Sequence, residues 1–423
     1  MAQDLHIRRE KVLFWRKKMA LSIFYPSVTG MEAHSHAMST VSTNIANINT
    51  VGYKKQETLF QTLLGSQPVV KGNNSGLSSS RADITGVGAY DRTYVTSMGI
   101  IKSTGQTFDV AINSTGNAFF LTKDSGGHSY YTRAGNFETR TMDGTTYLIS
   151  PNGYKVQGFK ANGDGTFAAN PEDITIDPQE TMPSNPTSKM DVVANVSANE
   201  PSNAYGLTVY GPNNDGRNMN MIFSKVEGKA NTWSVDFVME DGGTVTGGPI
   251  EVVFNDKGGV VSPKSLDIGI QWNEEAGGGA NTLSIDISKM TQYDGSNQIT
   301  SVSQDGYPSG KFISCYFDDD GVLKGKYTNE RTVDYAKLTL VGFEAPDNLE
   351  AVSNTMFQAN ANCGEAYYLD GSGMITPEAL ESSTANVEES FSKMIVVQRA
   401  YSVNASAFTT ADEMLQLLVD LKT

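Results

Sequence analysis

Apolar residues recur at helical spacing only near the two ends of this chain. Leu21, Phe24, Val28, Met31, Met38, Val41, Ile45 and Ile48 step by three or four, with one polar gap at Ser35. That spacing draws a single stripe along a helix. Pro26 suits the first turn of a helix and not its interior, so the pattern predicts a start near Tyr25. The run Asn47 to Gly52 supplies turn and left-handed residues and predicts the end. A second stripe runs through Val387, Phe391, Met394, Val397, Tyr401, Ala405, Phe408, Ala411, Leu415 and Leu418. Ser382, Ser383 and Thr384 are candidate caps for it, and Glu388 and Glu389 suit the positive end of a helix dipole. A stripe needs an opposing surface. The two helices are therefore expected to pair with each other, or with copies of themselves, as a coiled coil.

Between the helices the pattern changes to short β-branched and aromatic runs: Phe108–Ile112, Ala118–Thr122, Gly206–Tyr210, Trp233–Phe237, Ile250–Phe254 and Ala336–Leu340. Gly, Asn and Asp separate them, as in β sandwiches or barrels. The Ser/Gly/Asn-rich stretch from Gly65 to Gly88 reads as extended, and the two prolines in Thr181–Ser188 read as a domain boundary. The expected fold is mostly β: two nested β domains with N- and C-terminal helices forming a coiled-coil inner domain on assembly. The expected order is a basic extension (1–18), the first helix (19–52), an extended connector (53–90) and an inner β domain (91–181). An inserted outer β domain follows (182–286), then the returning inner β domain (287–364), a connector (365–385) and the second helix (386–423). No repeat of fixed period is present.

A length of 423 residues is consistent with several domains. The formal charge is -15, yet the first eighteen residues carry +4, which leaves -19 from Met19 onward. So acidic a chain gains nothing from counterion release, which excludes a nucleic-acid binder. No run of 18 apolar residues occurs, so membrane insertion is not expected. Cys315 and Cys363 have no metal spacing; they either pair or stay as buried thiols, and buried thiols are the expectation. The stretch Ala20–Val28 contains Pro26 and makes a poor secretory signal.

Candidate chemistry is thin. His34 and His36 lie two apart on a helix, point to different faces and cannot share a metal, so a solvated helix surface is expected. His128 sits in a Gly-Gly-His-Ser hairpin tip with no carboxylate or Cys spaced to join it. Asp318-Asp-Asp-Gly321 and Asn162-Gly-Asp-Gly165 lack the first and twelfth ligands of a calcium loop and read as hairpin turns. Gly86-Val-Gly88 does not continue into a dinucleotide fingerprint. Catalytic, cofactor-binding and metal-binding residues are thus all expected to be none, and no enzyme is expected.

The informative run is Ser42-Thr-Asn-Ile-Ala-Asn-Ile-Asn-Thr-Val-Gly-Tyr-Lys54. It resembles the N-terminal signature of the bacterial flagellar rod and hook proteins at Asn44, Ile45, Ala46, Asn47, Asn49, Thr50, Gly52, Tyr53 and Lys54. The stretch Asn386–Tyr401, with Asn404 and Leu415, resembles the same family's terminal helix. Phe108–Ile112, Tyr131–Phe137 and Gly325–Asn329 are similar to its inner β domain. An insertion of about a hundred residues implies the hook-type branch of the family, since rod-type members are shorter. The resemblance implies a structural subunit, exported unfolded through the flagellar type III apparatus. It would polymerise with itself into a flexible tube that joins rod to filament and transmits torque, outside the cell in the flagellar hook and basal body. Partners implied are the rod, hook-cap and hook–filament junction proteins. The terminal helices would stay mobile until neighbouring subunits bury their stripes. The family match begins at Met19, so Met19 is the expected natural start and a chain without residues 1–18 is expected to assemble. Alternatives are a distal-rod or junction protein of the same class. From another class, a secreted β-rich adhesin or glycan-binding module would need an exposed aromatic cluster, for instance one using Trp233 or Trp272, whereas core packing is the expectation for each.

Overall fold

The structure is a computed structural model that describes the backbone of residues 2–65, 83–114, 116–213, 216–353 and 355–420. Side chains are described for these residues except 2–23, 64–65, 83–85 and 418–420, so Leu21 and Leu418 lie outside the described side chains. The chain divides into two units. One comprises residues 1–176, 316–324 and 334–423; the other comprises 177–315 and 325–333.

The first unit holds both helices, α1 (Ala2–Ala46) and α2 (Val387–Asp420). Pro26 lies inside α1, so the helix does not begin near Tyr25. A proline in mid-helix forfeits one backbone donor. Just beyond it, Thr29 Oγ1 donates back to the carbonyls of Tyr25 (2.9 Å) and Pro26 (3.2 Å). The expected caps of α2 are also displaced: Asn386 Oδ1 accepts from the N–H groups of Glu388 and Glu389. Ser383 instead receives the N–H of Ala385, and Thr384 that of Lys55.

The stretch expected to be an extended connector is, in its described parts, an antiparallel hairpin. Its strands are β1 (Gln56–Gly65) and β2 (Asp83–Thr93), with Thr58 opposite Asp91 and Phe60 opposite Ala89. Its polar sequence hides the fact that α1 covers one of its faces. Thr58 and His36 both bind Asp91, at 2.6 and 2.9 Å, and the ring of His34 lies 5.2 Å from that of Phe60. His34 is therefore half-buried against the hairpin, where desolvation lowers its pKa, whereas His36 stays on the solvated surface expected of it while pairing with Asp91.

Beyond the hairpin come β3 (Ile101–Ser103), β4 (Val110–Ile112), β5 (Phe119–Lys123) and β6 (Ser129–Thr132). β5 pairs with β6, with Leu121 opposite Tyr131, and also with residues 340–341 and 155–156. Chain segments from both sides of the insertion thus share one core, in which Phe119, Leu121, Tyr131, Val341, Phe343, Phe357 and Cys363 are buried together. The segment expected to be a second connector is built into this unit too. Tyr367–Leu369 pairs with Leu340–Gly342, Ile375–Pro377 with β4, and Ala379–Glu381 with β3. The two acidic loops are turns: Asp318 Oδ1 receives the N–H groups of Asp320 and Val322, and Gly163 and Gly165 have φ of 85° and 83°. His128 at its tip does have a carboxylate partner, Asp124 Oδ2 at 3.1 Å, because the turn folds residue 124 back beside it.

The second unit is a β sandwich. One antiparallel sheet runs through Ser202–Tyr210, Gly216–Lys225, Thr232–Met239, Ile250–Phe254 and Val260–Ser262. The other is built around Lys189–Ser197, Ser265–Trp272 and Ala280–Asp286. Alternate residues of both sheets meet in one core that includes Val196, Leu207, Phe223, Trp233, Ile268 and Ile285. The insertion is longer than 182–286. Thr291–Tyr293 and Gln298–Gln304 pair with Lys189–Ser197 in the same sheet, so the chain leaves the first unit at 177 and returns at 316, and residues 325–333, expected in the inner β domain, also fall in the second unit. Pro183 and Pro186 lie inside this unit and not at its border. Trp233 and Trp272 are 1% and 3% exposed, which removes the aromatic cluster an adhesin would use. Both cysteines are buried free thiols, and burial pushes Cys315 up to about 11.

Phe223 is fully buried, edge-on to Tyr205 and Trp233. Phe223→Ala should cost about 3–5 kcal/mol, the usual loss for a buried aromatic. Hydrogen exchange read by mass spectrometry should show lost protection across residues 202–262 and unchanged protection across 119–149. Equal loss in both would mean that the two cores unfold as one.

Candidate assembly site

α1 does not bury the stripe its large side chains draw. Among its described side chains the buried positions are Ser27, Thr29, Gly30, Ala33, Ala37, Thr40, Val41 and Asn44, with Asn47 buried just beyond its end. These are also spaced by three and four, but on a face rotated away from Phe24, Val28, Met31, Met38 and Ile45, which are only half-buried. Small residues win this face because helix and hairpin backbones approach closely on one side and α2 on the other. A Cβ on Gly30 would lie 2.6 Å from Asn404 Oδ1. The rings of Phe24 and Phe408 meet at 4.9 Å. Since residue number rises along α1 as it falls along α2 at these two contacts, the helices are antiparallel.

On α2, Met394, Val397, Phe408 and Leu415 are half-buried and Ala411 is buried, whereas Val387, Phe391 and Tyr401 are exposed. Ile395, Val396, Val403, Met414 and Leu417 are exposed as well, Val403 and Leu417 to 68% and 64%. A single stripe of three-and-four spacing misses this second apolar face. Its signal lies in the sequence: the runs Met394-Ile-Val-Val397 and Met414-Leu-Gln-Leu-Leu418 place apolar residues on more than one side.

The motif Asn44–Lys54 forms the root of this helix pair. Asn44 is buried at the end of α1, accepts from Tyr53 Oη (2.9 Å) and Gln56 N (3.0 Å), and donates to Gln56 O (2.7 Å). Burial pushes the Tyr53 phenol up to about 12, with the Asp91 carboxylate adding to the effect. Asn47 closes the turn, donating to Thr43 O and accepting from Thr50 Oγ1. Ile45 is half-buried, while Ala46 and Asn49 are exposed. Gly52, at φ +68°, donates its N–H to Glu381 O, and a Cβ there would sit 2.6 Å from Ala134 N. The backbone of β6's exit turn therefore fits against this glycine and no larger residue.

Lys54 then enters a site from which water is excluded. Its side chain and those of Glu381 and Arg133 have no exposure. Lys54 Nζ lies 2.6 Å from Glu381 Oε1 and also donates to Ser97 O. Arg133 Nη1 lies 3.3 Å from Glu381 Oε2, its head group reaches the carbonyls of Ile112 and Ser114, and its guanidinium lies 5.6 Å from the Phe119 ring. Gly99 N donates to Glu381 Oε1 at 2.6 Å. Desolvation lowers the pKa of both cations although Glu381 opposes it. Sequence reasoning misses Arg133 and Glu381 as site residues. Arg133 stands in a run that matches the family without a role, and Glu381 in a stretch that carries no motif. Outside this site, Lys55 with Glu389 (3.1 Å) and Lys393 with Glu57 (2.8 Å) join hairpin and α2 as partly exposed pairs of small worth.

Four family models match the chain. The flagella basal body rod protein model covers residues 24–54, and the flagellar hook protein FlgE/F/G D1 domain covers 111–192. The flagellar basal body protein FlaE D2 domain covers 180–307, and the flagellar basal body rod FlgEFG protein C-terminal model covers 376–421. The chain is 28% identical to the flagellar hook protein FlgE of Rhizobium meliloti over 93% of its length and 97% of that protein's. It is equally similar to the FlgE of Salmonella typhimurium (94% and 100%), and 27% identical to that of Borreliella burgdorferi (94% and 99%). The crystal structure of the Helicobacter pylori flagellar hook protein FlgE2 shares the fold with a TM-score of 0.51 at 12% identity, covering 67% of this chain and 99% of that one.

Gly52→Ala combines a left-handed backbone with a backbone clash, so it should destabilise the helix root by about 1–3 kcal/mol. Urea unfolding followed by the circular dichroism of the helices should report the loss. An unchanged midpoint would mean that the turn can move off residues 133–134 at no cost.

Proposed function

This chain belongs to the flagellar rod and hook family as a hook structural subunit, and from that premise we propose that it polymerises through the open face of α2 into a bendable tube. The observation that carries the proposal is that face itself. Val387, Phe391, Ile395, Val396, Val403, Met414 and Leu417 are exposed on one helix whose other side already rests on α1. A monomer gains nothing by keeping so much apolar surface in water, whereas burial against a neighbouring copy yields roughly 1.5–3 kcal/mol per large side chain. An interface that is not self-complementary adds subunits head to tail and gives an open helical polymer. In this reading the motif Asn44–Lys54 holds the helix pair at the angle the polymer needs. Small residues of α1 such as Gly30, together with the ring pair Phe24–Phe408, hold the helices together, and half-buried Val28, Met31, Met38, Met394, Val397 and Leu415 flank that contact. Rod, cap and junction proteins meet the ends of the tube, and the subunit arrives outside the cell through the family's type III export route.

The test separates assembly from folding. Phe391→Asp and Val403→Asp each place a charge on the open face and should abolish polymerisation seen by electron microscopy, while the stability of the monomer shifts by under about 0.5 kcal/mol. Normal tubes from both variants would remove the open face of α2 from the interface.

The sandwich unit has a different task in this reading. It has its own core and enters and leaves the first unit as an insertion, so it is free to govern how far the tube bends. Replacing residues 177–315 by a Gly/Ser joint should give tubes that curve poorly, with swimming impaired. Normally curved hooks would show that bending is controlled elsewhere.

A further inference from the structure

Two of the three buried charges at the helix root are positive. Lys54 and Arg133 are fully enclosed, and Glu381 is the one carboxylate within ion-pair distance of either among the described residues. It comes from far along the chain, 327 residues after Lys54 and 248 after Arg133. Arg133 Nε has no hydrogen-bond partner among the described residues, so the site already carries more positive charge and more donors than it can satisfy. On this carboxylate converge the turn after α1 through Lys54 Nζ and the loop before β3 through Gly99 N, while Gly52 N binds the backbone carbonyl of Glu381 in the strand Ala379–Glu381 paired to β3. Ser382 N donates to Ile100 O and Thr384 N to Tyr53 O, continuing the seam up to α2.

We propose that Glu381 is a folding gate: it supplies the counter-charge for two cations buried by earlier parts of the chain, so closure of the first unit and anchoring of both helices wait for the C-terminal segment. Removing one partner of a buried ion pair leaves an uncompensated charge, which costs far more than losing a surface pair. Without Glu381, burying Lys54 and Arg133 side by side opposes closure. Any portion of the chain that ends before residue 381 is in that state, however complete its β strands are. The gate therefore couples the two ends of the chain before α2 presents its open face. Glu381 acts through Lys54 and Arg133 and is a positioning residue; it belongs to no interface itself.

The test uses the full chain. In Glu381→Gln the residues around the root, 94–104 and 378–386, should be cleaved by subtilisin roughly a hundredfold faster or more, while the sandwich unit stays protected. The double variant Lys54→Met/Glu381→Gln removes one of the two cations and leaves Arg133 a neutral acceptor, and it should recover most of the lost protection. Raising the pH should act in the same direction on the single variant. The charged groups facing Lys54 are Glu381 and Arg133. Burial lowers the Lys54 pKa, so the unfolded chain binds the extra proton and stability rises with pH toward the ordinary value of 10.5. Loss of Glu381 deepens that depression, so the single variant should regain protection at alkaline pH while Lys54→Met/Glu381→Gln shows no such gain. A single variant as protected as the parent, or a double variant no better than the single one, overturns the gate. These readouts are made on the monomer. They stand apart from the proposed polymerisation: a failed gate with normal dependence of tubes on Phe391 leaves that reading intact, and a working gate with tubes indifferent to Phe391 overturns that reading alone.

Discussion

Lys54, Arg133 and Glu381 lie beyond the reach of water at the place where both ends of the chain meet the first β unit. Ions are buried only where partners replace their hydration, and the partners here come from five separate stretches of backbone. The turn after α1, the loop before β3, the exit of β6 and the strand ahead of α2 are therefore fixed relative to one another by a single carboxylate. Gly52 fits against residues 133–134 only because that arrangement holds, and Asn44 can seal the end of α1 only because Tyr53 and Gln56 are held beside it.

From this fixed root the helices extend with very different environments. In its described part α1 packs through small residues against the hairpin on one side and α2 on the other. Close backbone approach is the benefit of Gly30, Ala33 and Ala37, and it leaves the larger Val28, Met31 and Met38 only partly covered. α2 has α1 on one side and water on the other. The molecule thus keeps its internal helix contact economical in volume and leaves a row of apolar side chains on α2 exposed. The sandwich unit shares none of this. Its core is closed, with both tryptophans buried and each indole N–H bound to an amide oxygen, Gln292 for Trp233 and Asn281 for Trp272.

Local pattern was enough to show a mostly β chain between two terminal helices, and the runs Asn44–Lys54 and Asn386–Tyr401 together were enough to point to the family. Helical and strand periods are local, and so is a motif whose members lie within eleven residues. Everything that depends on distant partners had to come from the folded chain. Residues 56–65 and 83–93 form a hairpin with one face covered by α1, a partner that their own composition does not reveal. The buried face of α1 falls on its small residues because which face is covered depends on how near the neighbours come. α1 continues through Pro26, the insertion extends to residue 315, and residues 367–381 are absorbed into the first unit. Strand partners hundreds of residues away leave no mark on local pattern. Glu381 is the clearest case. Nothing near it in the chain distinguishes it from other glutamates, and its role exists only where Lys54 and Arg133 have been brought to it through space.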